Sequence, residues 1–561
     1  MILQHILDLV SVCVLKNVTK VIISPGSRSA ALTLAFARHP NIECFVVPDE
    51  RSAGFVALGM AQISDETVAL VCTSGTAASN YLPAITEAFF QEIPLLVLTT
   101  DRPPEWINQY DGQTIFQNGM FGKNVKASEI FPVVVNDFDS KWYANRLIND
   151  LINQSQQNPK GPVHLNIPIK EPFYPIEGEI FEFDTNVKII KKPATITTLG
   201  QSVLNELFEI IKDCKTKLIA VGQGQVSEQE NLILSELSEK LKIPILGDVI
   251  SNLNFEGKID KQDIFLQKVQ TNLSPELLIT CGKSFISKNL KLFLRKNPPK
   301  YHFHFSYQNT ISDPFQSVTH LINADIFAFF SEFLNQNLAR NENQFAFFED
   351  WKSENSKAKL LINRDLLKNV WNEFYAVRAF MQVIPKDSVL HLANSLSVRY
   401  ANFVGIDSNK NVQILANRGT SGIDGSVSSA VGNALNTKKN VFLLIGDMAF
   451  FYDKNGLWHH HVPQNLKIVL LNNQGGNIFR MIDGPNKQAE LDQYFVTAHK
   501  QNAKFYCDEL QIKYFEASDF ESFENTLSAF MTFEGMAVME VKTDPVLNQA
   551  VFDEFKAAAK S

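Results

Sequence analysis

Short runs of continuously apolar residues recur along this chain, each closed by a polar loop and followed by a stretch of small and apolar residues with helical character. VIIS (from Val21) leads into Pro25-Gly26-Ser27-Arg28-Ser29 and AALTLAFA; IECFVV leads into Pro48-Asp49-Glu50-Arg51-Ser52 and AGFVALGMAQ. TVALVCTS leads into Gly75-Thr76-Ala77-Ala78-Ser79-Asn80 and YLPAITEAFF, and PLLVLTT into Asp101-Arg102-Pro103-Pro104. Runs that are apolar throughout belong to strands buried on both faces, and strands alternating with helices wind into parallel sheets. The pattern restarts at KLIAVGQGQ (Lys217) and at SVLHLANS (Ser388). The expected fold class is therefore α/β, with three doubly wound parallel-sheet domains over residues 1–180, 195–335 and 360–561. A Pro-interrupted stretch from Phe173 to Leu199 and a polar one from Asn335 to Leu361 read as the connections.

Composition narrows the function classes. The chain has 561 residues, 45% hydrophobic and 20% charged, with a formal charge of −8. That balance suits a globular protein and argues against a general nucleic-acid binder. Six cysteines (13, 44, 72, 214, 281 and 507) form no CxxC pair and read as free thiols in a reducing compartment. The N-terminal MILQHILDLV has no basic leader and carries Asp8, so it reads as an amphipathic helix and not a signal peptide. No apolar run approaches the ~20 residues a membrane span needs. A cytoplasmic enzyme is expected.

The chemistry concentrates between Val441 and Phe479. VFLLI ends at Gly446-Asp447-Met448, and KIVLL ends at Asn472-Asn473-Gln474-Gly475-Gly476. In an open α/β sheet ligands sit at the carboxyl ends of strands, so Asp447 and Asn473 should lie side by side. A carboxylate, a carboxamide oxygen and the Gly475 carbonyl are hard ligands for Mg²⁺ or Ca²⁺, with room left for phosphate oxygens. A crossover helix from Ala449 to about His461 would aim its N-terminus at the same place. Asp and Asn are also common turn formers, so two plain strand-end turns read the same way.

Other residues in strand-end loops are candidates on chemical type. Glu50 opens a helix, where an acidic residue complements the dipole. Arg28, Arg102, Arg399 and Arg418 could clamp carboxylates, as could Lys288 beyond the LLITCG run, and Gln113 lies in the polar loop Asp111–Thr114. Asn394, Ser395, Ser421, Ile423 and Asp424 sit in neighbouring polar loops. VGQGQ lacks the third Gly of a dinucleotide fingerprint, which argues against NAD or FAD. The triplet His459-His460-His461, if helical, points in three directions and reads as surface.

Taken together, Glu50, the GDM turn and LLNNQGGNIF resemble the thiamine-diphosphate enzymes of the decarboxylase superfamily, although Met448 stands where that signature carries Gly. SPGSRSAALTLAF, TSGTAASNYLPAITEAFFQEIPLLVLTTDRPPE and NRGTSGIDGSVSSAVGNAL are similar to one family within it, the 2-succinyl-5-enolpyruvyl-6-hydroxy-3-cyclohexene-1-carboxylate (SEPHCHC) synthases of menaquinone biosynthesis. The likeness is dense at both ends of the chain and thin in the middle.

That resemblance implies a pyrimidine-binding first domain, a central domain and a diphosphate-binding last domain. It implies decarboxylation of 2-oxoglutarate and its addition to isochorismate, with thiamine diphosphate and Mg²⁺ or Mn²⁺ as cofactors. Glu50 would activate the cofactor. Ser395, Ile423, Gly446, Asp447, Met448, Ala449, Asn473 and Gly475 would hold it, with Asp447, Asn473 and Gly475 on the metal. Arg28, Arg102, Gln113, Lys288, Ser395, Arg399, Arg418, Ile478 and Phe479 would meet substrate. The site would form between the chains of a homodimer or a dimer of dimers. An acetohydroxyacid synthase or another 2-oxoacid decarboxylase is the alternative enzyme, and a cofactor-binding subunit without catalysis the alternative class.

Overall fold

The computed structural model describes residues 3–268, 271–308, 310–336, 341–363 and 370–560. Within them the chain builds three sheets in which every strand pairing is parallel. The first contains β1 (Lys20–Ile23), β2 (Glu43–Val46), β3 (Val68–Cys72), β4 (Leu95–Asp101), β5 (Ser128–Ile130) and β6 (Val163–Pro168). The second contains β7 (Lys217–Val221), β8 (Ile245–Gly247), β9 (Leu277–Cys281), β10 (Tyr301–Phe305) and β11 (His320–Ile322). The third contains β12 (Val389–Leu392), β13 (Gln413–Leu415), β14 (Val441–Gly446), β15 (Leu466–Asn472), β16 (Lys513–Ala517) and β17 (Ala537–Lys542).

The strand orders are β2-β1-β3-β4-β6-β5, β11-β10-β9-β7-β8 and β13-β12-β14-β15-β17-β16. β3, β4 and β15 are buried at every position, as their unbroken apolar runs require. In the first sheet the winding reverses between β1 and β3, and in the third between β12 and β14. Ligand crevices open at such reversals. There the loops after β1 and β3 carry Arg28 and Gly75, and those after β12 and β14 carry Ser395 and Asp447.

Three expectations need correction. Residues 342–362, read as part of a polar connection, form a single helix, Glu342–Ile362. Its Phe347, Trp351, Ala358 and Ile362 are buried at helical spacing, with Trp351 packed edge-on to Phe265; residues 337–340 of that stretch lie outside the described residues. The expected crossover helix after Met448 is only Asp447–Tyr452, followed by a 3₁₀ turn at Lys454–Leu457. The histidine triplet is not helical: His459 and His461 are half-buried, and His461 Nε2 accepts the Val46 amide of β2 at 2.9 Å. The imidazole thus covers an edge strand of the first sheet. The stretch from Phe173 to Leu199 contains no helix or strand; Phe173, Phe181 and Ile189 pack onto the first domain. All six cysteines are free, five of them buried and Cys44 half-buried. No helix among the described residues is long and apolar enough to cross a membrane.

The first and third domains meet where helix Glu50–Ser64 crosses helix Ser426–Leu435. Backbones touch there. A Cβ on Gly59 would stand 2.1 Å from the Ser429 carbonyl oxygen, and one on Gly432 would stand 2.1 Å from that of Val56. Asn433 Nδ2 donates to the Gly59 carbonyl (2.7 Å) and Asn436 Nδ2 to that of Met60 (2.8 Å). Gly432→Val should therefore force the helices apart, at a cost of about 1–3 kcal/mol or more. The denaturation midpoint should fall for Gly432→Val but hold for Gly224→Ala, whose Cβ meets nothing within 4 Å.

Candidate active site

A cleft of about 370 Å³ opens at the β12/β14 reversal. Its floor is acidic and amidic. Asp447 and Asn473 are both buried at strand ends, one strand apart. Asp447 Oδ1 accepts the Met448 amide (2.7 Å) and Oδ2 the Gly475 amide (3.0 Å), with His499 Nε2 3.3 Å from Oδ2. Gly475 takes φ +157°, and a Cβ there would lie 2.8 Å from the Val496 carbonyl oxygen, so the turn that presents its carbonyl needs Gly.

Asn473 is oriented by a residue the sequence did not single out. Its Nδ2 donates to Glu373 Oε1 at 2.7 Å, which aims its Oδ1 the other way. Glu373 opens helix Glu373–Val383 and is fully buried. Burial, and then the charge of Asp447, pushes its carboxyl up to about 8. No motif marks Glu373, because it reaches the cleft from a helix that precedes β12. Two buried carboxyl groups, an amide oxygen and a backbone carbonyl thus bring hard oxygen donors together in an apolar setting. A divalent cation fits that donor set, and Asp447, Asn473 and the Gly475 carbonyl are the groups able to hold it.

The opposite wall is cationic. Arg399 donates to the Ser395 carbonyl (2.6 Å), and Arg418 to Asn394 Oδ1 (3.0 Å). Among the described residues neither guanidinium has a carboxylate within 4 Å, and Arg418 Nε is buried without a partner. Burial lowers both pKa values, and the charge of Arg399 lowers that of Arg418 further. Two neighbouring arginines that repel each other form a receptor for an anion. Ser395 holds φ +75°, an unfavourable conformation for a residue with a side chain, and it lies on the cleft wall. Ile423, Met448, Ile478 and Phe479 supply the apolar lining, with Gly446 and Ala449 beside Asp447. The helix after Asp447 is short, so its dipole adds little to anion binding here.

The remaining candidates lie elsewhere. Arg28, Arg102, Gln113 and Glu50 gather on the first domain. Arg28 donates to the Ile169 carbonyl, pairs with Glu171 (3.1 Å) and lies over the Phe173 ring. Arg102 binds Asp111 (2.7 Å) and the Gly112 carbonyl, which shapes the turn that holds Gln113 at φ +58°. Glu50 is half-buried near Cys72 and Tyr81, whose pKa values are raised by burial first and, in smaller part, by its charge. Its neighbours are tied to the third domain: Asn455 donates to Asp49 (2.8 Å) and Arg51 to the Tyr452 carbonyl (2.9 Å). Lys288 is exposed at the start of helix Lys288–Lys296. None of these five lines the cleft of the third domain.

A buried polar chain braces the first-domain loops. His164 binds Thr99 (2.7 Å) and Ser128 (2.9 Å), and Thr99 donates to Asn166. Asn166 donates to Asp101 and accepts from Gln117, which in turn accepts the Gly75 amide.

This topology and this cleft define an α/β enzyme of the thiamine-diphosphate class. A family model described as "Thiamine pyrophosphate enzyme, N-terminal TPP binding domain" matches residues 8–125, and one described as "Middle domain of thiamine pyrophosphate" matches residues 206–392. Full-length relatives narrow the class. A SEPHCHC synthase from Cytophaga hutchinsonii is 39% identical, over 99% of this chain and 98% of its own. One from Bacteroides fragilis is 35% identical (99% and 97%), and one from Flavobacterium johnsoniae 33% (98% and 97%). The chain belongs to the 2-succinyl-5-enolpyruvyl-6-hydroxy-3-cyclohexene-1-carboxylate synthase family.

Burial pushes His164 down to about 3. Its imidazole stays neutral in the fold and gains a proton on unfolding, so stability is lost as pH falls from 6.5 towards 3. In His164→Gln the slope of unfolding free energy against pH in that window should lessen by about 1.4 kcal/mol per pH unit. Denaturant titrations across the window measure it, and an unchanged slope would mean that His164 is charged within the fold.

Proposed function

We propose that the chain joins 2-oxoglutarate to isochorismate by decarboxylative 1,4-addition, giving SEPHCHC and CO2, as a thiamine-diphosphate-dependent transferase of menaquinone biosynthesis in the cytoplasm. The observation that carries this reading is the opposition, across one cleft, of an oxygen-rich acidic floor and two arginines lacking carboxylate partners. Both substrates are dicarboxylates, and a pair of guanidiniums suits them better than it suits pyruvate. Bound thiamine diphosphate supplies a nucleophilic thiazolium carbon that adds to a 2-oxo group and accepts the electrons left when CO2 departs.

The residues around it divide the remaining work. Asp447, Asn473 and the Gly475 carbonyl would hold Mg²⁺ or Mn²⁺ against the diphosphate, and Glu373 would keep Asn473 turned so that its oxygen faces the ion. Gly446, Met448, Ala449, Ser395 and Ile423 would enclose the cofactor. Arg399 and Arg418 would take carboxylates, while Ile478 and Phe479 exclude water from the reacting carbon. Arg28, Arg102, Gln113 and Glu50 would complete the site from the first domain of a second copy, with Lys288 at its margin. In this assignment residues 1–180 bind the pyrimidine, residues 195–335 form the central domain and residues 360–561 bind the diphosphate. The smallest active unit is then a homodimer. Support for that comes from the composition of the cleft, whose walls come from the third domain and include none of the first-domain candidates.

The direct test is turnover of 2-oxoglutarate with isochorismate, with the product identified by mass; preferred decarboxylation of pyruvate would shift the assignment to the alternative enzyme. Glu50→Gln should keep fold and cofactor binding but lower turnover by about 100-fold or more. Retained activity would remove Glu50 from the mechanism. Asp447→Ala should fold yet lose the rise in melting temperature that Mg²⁺ with thiamine diphosphate gives the parent protein.

A further inference from the structure

The loop from Asn417 to Gly425 sets Arg418, Ser421 and Ile423 on the cleft, and three of its residues are Gly. Such a loop has no shape of its own to keep. Asn394 of the same domain donates to the Asn417 and Gly422 carbonyls (2.7 and 2.6 Å), and the Gly419-Thr420 amides between them are held from another domain. Glu87, on helix Leu82–Gln91, is 1% exposed, and its carboxylate accepts two successive loop amides, Gly419 on Oε1 and Thr420 on Oε2, both at 2.7 Å. The Thr420 hydroxyl adds a bond to Oε2 and Gln91 Nε2 one to Oε1. The backbones are in contact as well: a Cβ on Gly419 would stand 2.8 Å from the Glu87 carbonyl oxygen and 3.0 Å from Phe90 Cβ. On the other flank of Arg418, the Ala416 carbonyl accepts from Gln62 of the first domain (3.4 Å) and Gln223 of the second (3.0 Å). Both of those amides also donate to Gln91 Oε1.

We propose that Glu87 is a positioning residue of the active site: across the domain boundary it fixes the loop that sets Arg418 and Ile423 against the ligand cleft. The inference rests on reading Arg418 as a substrate clamp. A carboxylate can accept from both amides at once, whereas an isosteric carboxamide must turn an N–H toward one of them. Glu87→Gln therefore separates anchoring from packing.

Hydrogen exchange of the apoprotein, followed in peptides spanning 416–424, should show the Gly419 and Thr420 amides exchanging about tenfold faster or more in Glu87→Gln. In the holoenzyme KM for 2-oxoglutarate should rise by about tenfold with little change in melting temperature. Exchange and KM as in the parent protein would overturn the proposal, and so would faster exchange with unchanged KM. Should Glu87→Gln fail to fold, Thr420→Val removes only the hydroxyl donor and should raise KM about threefold; no change would overturn the proposal equally. The exchange measurement needs no substrate. A parent protein that did not join 2-oxoglutarate to isochorismate would sink the functional reading alone, while an active parent with an unaffected Glu87→Gln loop would sink the role of Glu87 alone.

Discussion

The close crossing of helix Glu50–Ser64 with helix Ser426–Leu435 is the contact on which the rest depends. Helices normally pack 8–10 Å apart, with side chains between them. Here Gly59 and Gly432 remove those side chains, so each helix rests on the other's backbone and Asn433 bonds directly to a carbonyl across the gap. The crossing fixes how the first domain sits on the third. It thereby sets where Glu50 emerges and where Glu87 meets the Gly-rich loop.

The cleft behaves as an electrostatic device left deliberately unbalanced. On its floor burial, and then the charge of Asp447, raise the proton affinity of Glu373, and on its wall burial, and then the charge of Arg399, lower that of Arg418. Neither arginine has a carboxylate within 4 Å among the described residues, and burial of unpaired charge is costly. A cation at one end and an anionic substrate at the other would relieve both, so ligand binding and stability of the site are coupled.

Strand-level structure was legible because parallel strands buried on both faces must be apolar throughout, and VFLLI, KIVLL and TVALVC are. The strand-end loops were legible for the complementary reason, since they are where polarity returns, and Ser395, Arg418, Asp447 and Asn473, all in such loops, line the cleft. Helix Glu342–Ile362 escaped because its polar residues outnumber its apolar ones; the spacing of Phe347, Trp351, Ala358 and Ile362 carried the signal, and composition hid it. Glu373 and Glu87 carried no local signal, for each acts on a residue far away in sequence. Glu373 meets Asn473 and Glu87 meets Thr420 only after the sheets have formed.

The first and third sheets share one strand order, and the two helices at the crossing each follow the second strand of their sheet. The contact is therefore isologous in form: like element against like element about a pseudo-twofold axis, as in a symmetric dimer of single modules. Linking both modules in one chain frees the two mouths of that dimer to diverge. Glu50 is the first residue of one of these helices and Ser426 the first of the other, so an acid and a hydroxyl occupy corresponding places in a symmetry the sequence has broken.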